Sequence, residues 1–339
     1  MSDFAFDSST TVRDLLERSG LQRILNLAGL TEVAVNEPYQ VWYDRGNGWE
    51  SEAMPELSFD TCWDLAKSLA VFAGLSIPLG ILNPIASVIL PDGERGQIAV
   101  PPVTLQGVIS MTFRKPSLSR FTLSDYEKSG RFSKVVSRSA MQVELSPLQK
   151  HLLDLKESNI ADFFKAAVEN NLNILLVGGT GSGKTTAMKA MVDHYPKSAR
   201  IFTVEDVHEL SLPNHPNHLH LFYKQGGTTP KQLIESCMRM KPDHVLLAEL
   251  RGDEAWTYLE MLNTGHEGSI TTIHANDCQS APARLAGLVK QSPVGQTLDM
   301  AHIMRTIKTS IDVIAFFNHT YLTELYFEPL EKIRLLNQA

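Results

Sequence analysis

Ile174-Leu175-Leu176-Val177 followed by Gly178-Gly179-Thr180-Gly181-Ser182-Gly183-Lys184-Thr185-Thr186 decides the fold. An apolar run that opens into glycines, with Gly183-Lys184-Thr185 at the P-loop spacing, reads as a buried strand, a phosphate-binding loop and the start of a helix. Glycines belong there because, without Cβ atoms, successive backbone N–H groups can turn inward around an anion. In such a loop the lysine corresponding to Lys184 reaches the β- and γ-phosphates. Thr185 holds Mg²⁺ through its hydroxyl, and the helix points its positive dipole end at the charge. A plain glycine-rich turn would need neither the Lys-Thr pair nor the helical continuation from Ala187 to Tyr195. The implied ligand is a nucleoside triphosphate with Mg²⁺.

Outward from this loop, 339 residues provide for two domains with separate cores. A net charge of −7 argues against nonspecific nucleic-acid binding as the main activity. Cys62, Cys237 and Cys278 are widely spaced, so neither a disulfide framework nor a cysteine zinc site is indicated, and a reducing cytosol fits. The start Met-Ser-Asp-Phe-Ala-Phe-Asp lacks the pattern of a signal peptide. The longest apolar segment, Ile81 to Leu90, is interrupted by Asn83 and Pro84, so no membrane span is expected.

Residues 11 to 28 carry a helical period broken at Gly20, and they read as a helix packed on its own domain. Glu32 to Asn36 and Gln40 to Asp44 read as paired strands, and Ser58 to Ala73 as a helix capped by Ser58. Gln97 to Val100 and Leu105 to Phe113 read as further strands. In the second, Ile109, Met111 and Phe113 alternate with Ser110 and Thr112, which predicts a half-solvated sheet. Residues 114 to 147 form a linker with some helix of its own, rich in Ser, Arg and Lys (among them Arg114, Lys115 and Arg138). Its charge is either a solvated face or a contact surface.

From Leu148 helices alternate with short apolar strands. Strands are expected at Ile174 to Val177, Ile201 to Val204, His244 to Ala248 and Ser269 to Ile273, with two more at Ile311 to Phe317 and Tyr321 to Phe327. The fold class is therefore an α+β N-terminal domain (1–113), a basic linker (114–147) and a P-loop α/β domain of RecA type (148–339).

Ligands of open parallel sheets bind beyond the carboxyl ends of the strands. Glu249 follows the strand at His244 to Ala248, placed to orient water or to hold the Mg²⁺ shell. Glu205, Asp206 and Glu209 follow the strand at Ile201 to Val204, and the sequence leaves open which of them touches metal or water. His274 ends the strand after Gly265-His266-Glu267-Gly268, where it either donates to phosphate or an acidic partner, or is structural. His215, His218 and His220 lie in an extended, proline-broken stretch in which no cysteine or carboxylate completes a metal set.

Together these stretches resemble the secretion traffic ATPases over nearly the whole chain, and most closely the hexameric ATPase of type IV secretion systems. The resemblance rests on Gly178 to Thr186, Glu205 to Leu210, Arg239 to Gly252, and the histidine box Gly265 to Asn276. In the N-terminal part, Leu90-Pro91-Asp92-Gly93-Glu94-Arg95 and Ile109 to Pro116 look like the family's first domain. It implies ATP hydrolysis with Lys184 and Thr185 on phosphate and Mg²⁺ and Glu249 in the Walker B role. It further implies Glu205 and Glu209 as an acidic box, His274 as a coupling residue, and Arg114 reaching ATP held between two domains.

A homohexamer is implied as well, cytoplasmic and peripheral to the inner membrane, working with channel components and other ATPases, without sequence-specific nucleic-acid binding. Two departures stand out: Lys241 replaces the usual arginine, and Asp243 precedes its strand instead of ending it. Three scattered cysteines cannot build the four-cysteine zinc element of pilus-assembly relatives. A pilus-retraction motor and an ATP-gated scaffold ring remain as alternatives.

Overall fold

A computed structural model describes residues 9–116, 120–136 and 144–337; Arg138 of the basic linker lies outside them. The chain opens with α1 (Thr10–Arg18) and α2 (Leu21–Leu25), divided at Gly20 as the period predicts. Three strands follow, β1 (Glu32–Val35), β2 (Gln40–Asp44) and β3 (Trp49–Ala53), then α3 (Phe59–Phe72). Ser58 caps α3 by accepting from the Thr61 amide at 3.2 Å. Next come β4 (Ile85–Ile89), β5 (Arg95–Ala99) and β6 (Ser110–Arg114). These six strands form one antiparallel sheet in the order β3-β2-β1-β6-β5-β4.

After β6 come the short α4 (Leu123–Lys128), α5 (Pro147–Ser158) and α6 (Ile160–Glu169). The second sheet is built from β7 (Ile174–Gly178), α7 (Lys184–Val192), β8 (Ile201–Glu205), β9 (His218–Phe222), α8 (Pro230–Cys237), β10 (His244–Leu247), α9 (Glu254–Leu262) and β11 (Ile270–Ile273). It continues through α10 (Ser280–Val289), α11 (Pro293–Thr297), α12 (Met300–Ser310), β12 (Val313–Asn318) and β13 (Tyr321–Tyr326), and α13 (Pro329–Asn337) ends the described chain. The strand order is β13-β12-β7-β11-β10-β8-β9. All neighbours are parallel except the hairpin β12–β13. Its parallel strands are almost wholly buried because helices cover both faces, which is why they read as unbroken apolar runs.

Several expectations need correction. The strand foreseen from Leu105 starts only at Ser110, since Leu105 to Ile109 make a turn with Gly107 at φ +86°. Strands β3 and β4 were not foreseen, because β3 (Trp-Glu-Ser-Glu-Ala) is polar and exposed and β4 sits inside the segment broken by Pro84. The stretch read as an extended histidine-rich loop yields strand β9 from His218.

The polar face at the centre of the first sheet is covered, not solvated: Gln97, Ser110 and Thr112 are all buried. Period-two alternation separates polar from apolar faces, but a polar face can be covered by polar partners. Here Gln97 Nε2 donates to Ser236 Oγ of α8 at 3.0 Å, and Arg200 Nη2 donates to Thr112 Oγ1 at 3.2 Å.

Arg200, with no solvent exposure, is the centre of that contact. Its Nη1 donates to Asn36 Oδ1 at 2.9 Å and Asn217 Oδ1 at 2.6 Å, and its Nε to the Met240 carbonyl at 3.3 Å. The guanidinium lies 4.8 Å from the ring centres of both Trp49 and Phe202. Burial pulls its pKa down to about 9, while Asp243 and Glu32 favour the charge. Beside it Lys241, in left-handed backbone at φ +54°, donates to Asp44 Oδ2 of β2 at 2.8 Å. Thus the residue that departs from the family pattern tethers the first sheet to the second.

Candidate active site

The order β7-β11-β10-β8 sets the site out along one edge. The glycine loop leaves β7, His274 follows β11, Glu249 lies just beyond β10, and Glu205 ends β8. Adjacent strands are about 4.8 Å apart, so His274 falls between the loop and Glu249, and Glu205 lies about 14 Å from the loop's strand. This spacing sets Glu205 apart from the glycine loop, although its strand is next to the one that leads to Glu249.

The loop itself is tightly specified. Gly178 has φ +152°, and a Cβ there would lie 2.4 Å from the Phe317 carbonyl and 2.5 Å from Ser182 Oγ. Gly183, at φ +88°, starts α7. Lys184 is buried, and its Nζ donates to the carbonyls of Gly178 at 2.8 Å and Gly179 at 2.7 Å. An ammonium has three donors, so one is left for a ligand. Desolvation lowers the Lys184 pKa, and the nearby charge of Glu249 works against that.

Ser182 Oγ is buried without a hydrogen-bond partner. An orphaned hydroxyl and a lysine inside a cradle that a single Cβ would fill are the features a phosphate group satisfies. A cleft of about 390 Å³ opens here, lined by Gly179 to Ser182, Asn276 and the β12–β13 turn. An adjoining cleft brings His274 and Arg284 to the same glycines.

Glu249 is mostly buried and uses both oxygens: Oε1 lies 3.0 Å from His274 Nε2, and Oε2 takes Arg251 Nη2 at 2.7 Å. Arg251 also donates from Nη1 to Asp206 Oδ2 at 2.8 Å. The hydrogen bond that Arg251 donates to Glu249 raises the Arg251 pKa above its ordinary value. Buried Glu254, the first residue of α9, holds the arginine's loop by accepting from the Arg251 and Gly252 amides at 2.7 and 2.9 Å. Sequence reading assigned no role to Arg251 or Glu254. Their signal was a carboxylate three residues after an arginine at a helix start.

Family-model comparison supplies the deciding observation: residues 122–316 match the model described as type II/IV secretion system protein. The chain belongs to that family. Among its relatives in the type II/IV secretion family, the type IV secretion system protein VirB11 of Brucella suis biovar 1 is 40% identical over 318 residues, spanning 89% of this chain and 87% of the relative. PtlH of Bordetella pertussis is 35% identical over 320 residues, spanning 93% and 92%. The crystal structure of the VirB11 ATPase from the Brucella suis type IV secretion system in complex with sulphate superposes with a TM-score of 0.88 at 39% identity, covering 96% of this chain and 99% of that one. The α/β fold of this chain thus matches that structure over nearly its whole length. Among the described residues no helix is long and apolar enough to cross a membrane.

The remaining candidates fall elsewhere. Glu205 is wholly buried and committed within its own loop: Thr203 Oγ1 donates to Oε1 at 2.6 Å, and the Glu209 and Leu210 amides donate to Oε2 at 2.9 and 2.8 Å. Burial would raise its pKa, but hydrogen bonds from His220, Thr203 and these amides take it below the ordinary value. Glu209 is exposed. Arg114 is exposed at the end of β6, 3.6 Å from buried Glu32, and is not among the residues lining either cleft at the glycine loop. The β12–β13 turn was missed as a wall of the site. Its left-handed His319 and Thr320 (φ +46° and +71°) replace the usual Asn-Gly, so the sequence carries no turn signal there.

Proposed function

We propose that this chain is the ATP-hydrolysing motor of a type IV secretion system, working as a homohexameric ring. The observation that carries the reading is the Lys184–Glu249–His274–Arg251 constellation along one edge of the second sheet, in a chain similar to the VirB11 ATPases over most of its length.

Gly178 to Lys184 hold the triphosphate through backbone N–H groups, Ser182 Oγ and Lys184 Nζ. Thr185 and Glu249 are the residues that would hold Mg²⁺, a hard cation suited to their oxygens. When bound, it neutralises charge on the β- and γ-phosphates. Glu249 orients the attacking water, and Arg251 and His274 fix its carboxylate. His274, joined to Glu249 and sharing a cleft with the glycine loop, reports phosphate occupancy to that carboxylate. The partners are further components of the secretion channel at the inner membrane.

Arg114 belongs to this reading as a residue that completes an ATP site across subunits, since within its own chain it faces Glu32. Such an arginine is worth about 10³ to 10⁵ in rate. Native mass measurement and steady-state turnover test this. Wild type should form higher-order species with a non-hydrolysable ATP analogue, and Arg114→Ala should lose most turnover with little change in thermal stability. A protein that stays monomeric at micromolar concentration with the analogue, or an Arg114→Ala variant with full activity, would remove the intersubunit site.

A further inference from the structure

The cluster that the nucleotide chemistry leaves unused lies at the outer end of the second sheet, where β8 and edge strand β9 meet the loop after β8. There Glu205, His208 and His220 each present one ligand atom, all within 4.8 Å of one another. The histidine-rich stretch alone lacked a carboxylate, and the fold supplies one from the neighbouring strand. His220 and Glu205 are buried, whereas His208 is exposed and forms the open side.

We propose that Glu205, His208 and His220 bind a divalent late transition ion of the zinc type, distinct from the Mg²⁺ that accompanies ATP.

Three observations carry this. First, His220 Nδ1 lies 3.5 Å from Glu205 Oε1. Bond lengths of about 2.0–2.1 Å in a tetrahedral zinc shell place neighbouring ligands about 3.3 Å apart, so the pair is spaced for one ion without rearrangement. Second, Thr203 Oγ1 lies 2.6 Å from Glu205 Oε1 and 2.8 Å from His220 Nδ1, which holds the two side chains in register, and it gives up its contact with the ring nitrogen when the ion takes that lone pair. Third, the rings of His218, His220 and His208 stand in a row, with centroids 4.9 and 4.4 Å apart, and His218 Nδ1 is engaged 2.7 Å from the His215 carbonyl.

Two imidazoles and one carboxylate select a borderline-soft ion over Mg²⁺, which prefers oxygen donors and keeps its water. Bound there, the ion joins the loop carrying Asp206 to strand β9. Asp206 is the partner of Arg251, so the ion steadies one end of the Asp206–Arg251–Glu249 chain.

Cobalt(II), a spectroscopically visible substitute for zinc, added to the purified full chain without nucleotide tests the site. The expected result is a one-to-one complex with visible d–d absorption, abolished by stoichiometric Zn²⁺ and untouched by excess Mg²⁺. His208→Ala, on the exposed side, should weaken Co²⁺ binding about tenfold or more, and His220→Gln likewise. His302→Ala, outside the cluster, should bind as wild type does. If His220→Gln fails to fold, His208→Ala decides alone. Equal binding by wild type and His208→Ala, or no saturable complex, would overturn the proposal and leave a hydrogen-bonded structural cluster.

Discussion

His274 Nε2 lies 3.0 Å from Glu249 Oε1, joining the residue beyond strand β11 to the carboxylate beyond β10. The other carboxylate oxygen is held by Arg251, so Glu249 is fixed from two sides before any ligand arrives. A carboxylate held this way enters the reaction preorganised, which is where electrostatic catalysis gains most. Its neighbours also make it sensitive to whatever moves His274 or Arg251.

Lys184→Ala should abolish ATP turnover and leave the fold intact. The side chain supplies a point charge to phosphate, and its hydrogen bonds among the described residues go to the carbonyls of Gly178 and Gly179 in its own loop. Steady-state phosphate release with circular dichroism on the same sample checks this. Undiminished hydrolysis would remove Lys184 from the site.

Arg200→Leu should destabilise the protein by about 3–5 kcal/mol, in the range found when one member of a buried charged network is removed. The substitution leaves Asn36 Oδ1 and Thr112 Oγ1 without their donor between the two sheets, and Asn217 Oδ1 with only that of Asn36 Nδ2. Urea unfolding measures it, and a change under about 1 kcal/mol would mean that the network contributes little.

Glu32 gives a pH dependence with a definite sign. Burial raises its pKa from 4.5 to about 7, against the pull of Lys241, Arg114 and Arg200, while Asp44 adds to the rise. A carboxyl with a raised folded-state pKa contributes full stability below its unfolded pKa and loses it as pH rises toward the folded one. Wild type should therefore lose about 3 kcal/mol relative to Glu32→Gln between pH 4.5 and 7, with little further change above. Paired urea titrations across that range test it, and parallel curves for the two proteins would contradict it.

Much of this was legible in the sequence because the decisive signals were local. The run Ile174 to Val177 with Gly178 to Thr186 announced its strand, loop and helix, and strand-end positions drew attention to Glu249 and His274. Signals that depend on distant partners were not legible. Thr112 and Gln97 look solvated until Arg200 and Ser236 cover them. Glu205 looks like a residue of the nucleotide site until strand order puts β10 and β11 between β8 and β7. His220 lacked a carboxylate until β9 paired with β8.

The most direct test of the account is the separation of binding from turnover in Glu249→Gln. The amide keeps the carboxylate's shape and most of its hydrogen bonding but loses the charge that orients water. The account predicts near wild-type ATP affinity with turnover per bound ATP lower by roughly a hundredfold or more. Normal turnover per bound ATP together with collapsed affinity would contradict it, making Glu249 a binding or structural residue and the protein a nucleotide-gated scaffold.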